Sequence, residues 1–150
     1  MSFANVAKYK VDKSTRREYR FHNIDLGNGK IPSFIVVSAS DVNKSYFSAF
    51  LKATSPKMRQ AQSSKITMNF VEEVRAINKD LYSKYVIVGW KNVIDDEGRE
   101  SQFSPTQCRE FLNYLPDQMF DELTSFCSTY TNFIDDFPAA DEMEQIAGNS

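Results

Sequence analysis

A chain of 150 residues, 41% hydrophobic and 25% charged with five Gly and five Pro, makes one domain with short tails that buries roughly 70% of its unfolded surface. That composition excludes collagenous, low-complexity and wholly disordered chains. The longest apolar run, Tyr85 to Trp90, is too short to span a membrane, and Met1 to Asn5 lack the basic start and apolar stretch of a secretion signal. A soluble intracellular protein is therefore expected. The net charge of -2 is unevenly spread: residues 1 to 65 carry 12 Lys+Arg and 4 Asp+Glu, residues 66 to 150 carry 6 and 16. Two solvated faces can balance within one fold, or a basic amino-terminal surface can meet an acidic partner or the acidic half of another copy. Cys108 and Cys127, the two cysteines, fit reduced, partly buried thiols better than a disulfide scaffold.

Residues 1 to 18 show little pattern, with Lys8, Lys10, Lys13 and Arg16 as bases and Phe3, Val6, Tyr9 and Val11 as apolar anchors; a flexible basic arm is expected. Tyr19 to Leu26 then alternate, Gly27-Asn28-Gly29 supply a turn, and Phe34 to Val37 follow Pro32, which is a β-hairpin pattern. The alternation leaves Tyr19, Phe21, Ile24 and Leu26 partly out of step, so the register stays open and admits a bulge. A helix capped by Ser40 or Asp41 carries Val42, Tyr46, Phe47, Phe50 and Leu51, and Ser55-Pro56 stops it. After a polar connector, Arg59 to Lys65, the stripe Ile66, Phe70, Val71, Val74, Ile77, Leu81, Tyr82 and Tyr85 predicts a central helix. Val86 to Trp90 are expected to be its buried end rather than a short strand, with Gly89 letting the chain turn.

Asp95-Asp96-Glu97-Gly98 is a turn. Ser104-Pro105-Thr106-Gln107 then sets a Ser cap, a Pro at the first helical position and a Gln at the third. Cys108, Phe111, Leu112 and Leu115 form the inner face of that helix. Pro116 ends it and opens another, striped by Met119, Phe120, Leu123, Phe126, Cys127 and Tyr130. Residues 135 to 150 hold five acids and no base, which predicts a flexible acidic tail. The expected architecture is α+β: an amino-terminal β-hairpin and about four helices in one domain over residues 19 to 134.

Catalytic grammar is missing. The single His22 precludes a His triad or a multi-His metal site within one chain, and the cysteines, 19 positions apart, form no CxxC pair. Asp95, Asp96, Glu97 and Glu100 lack the spacing of an EF-hand loop, and Gly27-Asn28-Gly29-Lys30 lacks that of a phosphate loop. Glu72-Glu73 and Asp121-Glu122 fall on helix surfaces without a predicted apolar pocket. No enzyme, cofactor or metal is expected. Nucleic acid is opposed as a partner by the pI of about 5.4, although the arm's bases interleave with Tyr9, Tyr19 and Phe21.

Gly89-Trp90, then Gly98, then Phe103-Ser104-Pro105, Leu112 and Pro116, closing on Asn132-Phe133, resembles the tailed-phage family of tail assembly chaperones and minor tail proteins, over about residues 80 to 134. Thr131 stands where that family usually has a small residue. The resemblance implies a non-enzymatic role in tail morphogenesis, with the tape measure protein and the tail tube protein as partners; its alternative is a structural component of the virion, at the tail or the head-tail junction. Trp90 would anchor the core, Phe103 act as a staple and Ser104 as a cap. Coating an apolar, helical tape measure needs an exposed apolar groove, for which Phe47, Phe50, Phe70, Phe111 and Phe120 are the candidate residues.

Overall fold

A computed structural model describes residues 2–62 and 67–135, with the side chains of 60–62 excepted. The expected acidic tail beyond Asp135, Ile66 and residues 63–65 of the polar connector lie outside the described residues, and Arg59 to Gln62, expected in that connector, are helical. In chain order the elements are α1 (Ala4–Ala7), β1 (Arg17–Arg20), β2 (Ser33–Val36), α2 (Lys44–Gln62), α3 (Met68–Tyr85), β3 (Ile87–Lys91), α4 (Pro105–Tyr114) and α5 (Asp117–Ser128), then a 3-10 turn, Tyr130–Phe133. The fold is α+β: an antiparallel sheet of order β1-β2-β3 with the long helices packed beside it.

The expected hairpin forms, with shorter strands and a longer connection. Arg17 faces Val36 and Arg20 faces Ser33. The chain leaves the ladder at Phe21, whose N–H donates to the Pro32 carbonyl at 2.9 Å. His22, predicted on a strand, is exposed in the turn that follows.

The segment after the central helix corrects the sequence reading. Residues 87–91 form a third strand, not a helix end: Phe34 faces Trp90 and Ile35 faces Gly89, with a bulge between Ile35 and Val36. The β-branched run Val86-Ile87-Val88 suits a strand, and pairing with β2, more than fifty residues away, decides the matter. Gly89 therefore makes no turn. A Cβ there would meet Ile35 Cγ1 at an ordinary 3.7 Å. Gly98, by contrast, has φ +79 in the turn where its N–H donates to the Asp95 carbonyl at 3.0 Å.

The start of α2 is also corrected. Asn43, not Ser40 or Asp41, places its Oδ1 3.2 Å from the Tyr46 N–H, while its Nδ2 donates to the carbonyls of Ser38 and Tyr85 at 3.0 and 2.9 Å. One side chain thus caps one helix and ties it to the end of another. Pro56 does not stop α2, which continues through it. The antiparallel packing on α3, bracketed by Tyr46 Oη donating to Asn78 Oδ1 at 2.7 Å and by Lys57 paired with Glu73 at 2.8 Å, holds the helix together despite the lost backbone bond.

Ser104 caps α4 as its spacing predicts, accepting from the Gln107 N–H at 3.1 Å. Leu112, Phe120, Leu123 and both cysteines are buried, whereas Tyr130, expected on the inner stripe of α5, is 57% exposed beyond that helix. The core centres on Phe34, fully buried, with ring centroids of Phe21, Phe111 and Trp90 at 4.9, 5.2 and 6.1 Å. In urea unfolding, Phe34→Ala is expected to lower stability by about 3–5 kcal/mol, and Ser104→Ala by about 1 kcal/mol. Equal costs for the two would contradict this account of the core.

Candidate functional site

The residues of the phage-like motif are placed one by one in the scaffold. Trp90 stacks beside Phe34 and donates its indole N–H to the Ser101 carbonyl at 2.7 Å. Phe103 meets the Trp90 ring edge-on, with centroids 5.4 Å apart. Asn132 donates from Nδ2 to the Phe126 carbonyl at 3.0 Å, and its own carbonyl accepts from Arg17 Nε at 2.8 Å, joining the end of the domain to β1. Phe133 is 2% exposed. Gly89, Gly98, Ser104, Pro105 and Leu112 sit in a strand, a turn, a cap, a helix start and the core. These are determinants of fold.

The five phenylalanines singled out for partner binding are not brought together on one surface. Phe120 is 1% exposed, and Phe47, Phe50 and Phe111 are half-buried against the core. Phe70 is half-buried in a small depression between α3 and α5, beside Arg75 and Phe120. Of the five, Phe111 alone lines the open groove beside the α4–α5 junction.

That groove, about 660 Å³, lies between the loop after β1, the loop after β3, and the α4–α5 junction. Its floor is apolar: Ile24, Trp90, Val93, Phe111, Leu115 and Met119. Its rim carries Asp25, Asp95, Asp96 and Glu110, and no base is among the lining residues. Local chemistry sets the rim. Asp95 Oδ1 accepts from the N–H groups of Glu97 and Arg99 at 2.9 and 3.0 Å, and Asp25 Oδ1 accepts from the Gly27 N–H at 2.8 Å, so each carboxylate fixes its own turn. Tyr114, 82% exposed at the end of α4, stands on the same rim. An apolar floor between like charges attracts an apolar segment flanked by bases and disfavours acidic ligands.

Sequence reasoning missed the groove. Asp95 and Asp96 stand out in the sequence as a charged turn, but nothing local connects them with Asp25 or Glu110, and only the fold does so.

The fold is an α+β domain with an open, apolar-floored groove bordered by carboxylates. The model of the YdaY prophage protein family matches residues 41–149, and the chain belongs to that family, which makes it a phage-related protein. The match takes in α2 to α5, β3 and most of the rim, and leaves out the arm and the first two strands. No curated protein matches the chain. No solved structure matches it. Among the described residues no group of three or more His, Cys, Asp or Glu is placed to hold a metal, and no helix is long and apolar enough to cross a membrane.

Both cysteines lie away from the groove in the interior. Burial pushes the Cys108 thiol up to about 12 and raises that of Cys127 as well. A thiol reagent at about pH 8 is therefore expected to leave the native protein unlabelled and to label both cysteines in denaturant. Rapid labelling of the folded protein would show that the α4–α5 core opens.

Proposed function

We propose that this prophage protein is a non-enzymatic morphogenesis factor, a tail assembly chaperone that holds apolar, helical segments of the tape measure protein until tail tube subunits close around them. The groove carries this reading. It pairs an apolar floor with four carboxylates on its rim, which suits an amphipathic helix whose apolar face is bordered by Lys or Arg. The phage family and the motif resemblance support the viral context. Acids around the floor also keep the unloaded protein soluble despite an exposed apolar surface. Such a protein acts in the host cytoplasm and is absent from the finished particle.

One observation favours a second reading, a building block retained in the virion: residues 2 to 10 are exposed and available to a neighbour.

Coexpression with the tape measure protein of the same prophage is expected to keep that protein soluble and to yield a complex. The variant Asp96→Lys/Glu110→Lys/Tyr114→Ala, altered only at exposed positions, is expected to fold normally by circular dichroism and to bind at least about tenfold more weakly. Failure of the unaltered chain to bind the tape measure protein would overturn the chaperone reading. Its presence at fixed copy number in mature particles, measured by mass spectrometry, would replace that reading with the structural one.

A further inference from the structure

The surface most complementary to the groove lies on the chain itself. Phe3, Val6 and Tyr9 are 71%, 67% and 41% exposed, and their three-residue spacing sets them along one side of a helical turn. Lys8, Lys10 and Lys13 accompany them, all exposed. The single turn Ala4–Ala7 buries none of its residues, and isolated helices shorter than about 12 residues are marginal in water. An apolar, basic turn without a surface of its own thus coexists with an apolar, acidic groove.

The arm is anchored away from the groove of its own chain. It enters β1 at Arg17, which donates to the Asn132 carbonyl and pairs with Asp135. The loop that forms one wall of the groove leaves β1 at the opposite end, after Arg20. No residue before Asn23 lines the groove.

We infer that the arm of one copy, Phe3 to Lys10, which precedes Val11 packed on its own core, docks in the groove of a second copy. Phe3, Val6 and Tyr9 lie on the floor of Trp90, Phe111 and Met119, and Lys8 and Lys10 lie against Asp25, Asp95, Asp96 and Glu110. The contact is heterologous, arm to groove, so every copy keeps one of each to offer and association continues past the dimer into chains or closed rings. A single short arm buries little area, which places the contact among weak, reversible interfaces. The arm therefore fills the groove until a stronger ligand displaces it. The inference shares its groove with the function proposed above, but does not require the ligand to be a tape measure protein.

Sedimentation equilibrium of the full chain from about 10 µM to about 1 mM tests this at low salt and again near 1 M, where the screening length falls to about 3 Å. The average mass is expected to rise with concentration, and high salt to weaken association about tenfold. A chain lacking residues 2–10, the arm variant Lys8→Glu/Lys10→Glu and the groove variant Asp96→Lys/Glu110→Lys are each expected to stay monomeric. A chain carrying both charge reversals, folded by circular dichroism, is expected to associate again. Three results would each overturn the inference: a full chain that stays monomeric throughout, undiminished association without residues 2–10, or a folded double reversal that remains monomeric. Tape measure binding, scored on the same variants, separates the two ideas. Arm-groove association without tape measure binding removes only the chaperone reading, and the converse removes only self-docking.

Discussion

The ring of Phe34 is the contact on which the other elements converge. It lies in the central strand, fully buried, and meets Phe21 from the loop after β1, Trp90 from β3 and Phe111 from α4. Edge-to-face and stacked pairs of this kind add to the burial of their large apolar area. The same cluster makes the back of the groove, because Trp90 and Phe111 each present one side to Phe34 and another to the open floor. Core and groove floor are therefore one body of aromatic side chains. A change that loosens Phe34 alters the floor without touching the rim.

A second cluster secures the helices. Tyr46, Tyr82 and Phe120 meet in T-shaped pairs with centroids 5.4 and 5.8 Å apart, joining α2, α3 and α5. Burial raises the Tyr46 hydroxyl to about 12 and pushes the Tyr82 hydroxyl up as well, so both remain neutral hydrogen-bonding groups. Outside it, Arg75 reaches Asp121 at 2.9 Å and Asp117 at 3.6 Å, holding α3 against the start of α5. The guanidinium keeps the Asp121 carboxyl below its ordinary range by hydrogen bonding and charge. These pairs are largely solvent-facing and register the helices more than they stabilise them. What they settle is the position of α5, whose first turn supplies Met119 to the floor.

Local signals were legible in the sequence wherever the decisive contact is local. Ser104, Pro105 and Gln107 announce α4 because a cap is satisfied within three residues, and the stripe through Val74, Ile77 and Leu81 gives α3 by period alone. Ile87 to Lys91 were illegible for the opposite reason: the run follows a helix with no turn residue between them, and its partner strand lies far away in sequence. Pro56 misleads because its local penalty is outweighed by packing of α2 on α3. The phenylalanines of the helices mark apolar positions, but periodicity does not say which apolar surface the fold consumes. Phe120 and most of Phe111 went inside. The groove needed three separate segments to be brought together, and no window of sequence contains it.

The charge division along the chain acquires a physical meaning from this arrangement. The basic first half and the acidic second half pair in places, as at Arg17–Asp135 and Lys57–Glu73, while the arm's lysines stay exposed and four carboxylates, Asp25, Asp95, Asp96 and Glu110, gather around an apolar floor. Electrostatic complementarity governs encounter and selectivity more than affinity, and the apolar contact supplies the holding force. On the function proposed above, a groove with both properties accepts ligands by chemical class, not by exact shape. Its occupant needs an apolar face bordered by bases, and whichever such segment is locally most concentrated or best preorganised prevails. Assembly chaperoning requires a site of that character, selective enough to ignore acidic and purely polar chains and weak enough to release its ligand when a growing tube offers a larger apolar surface.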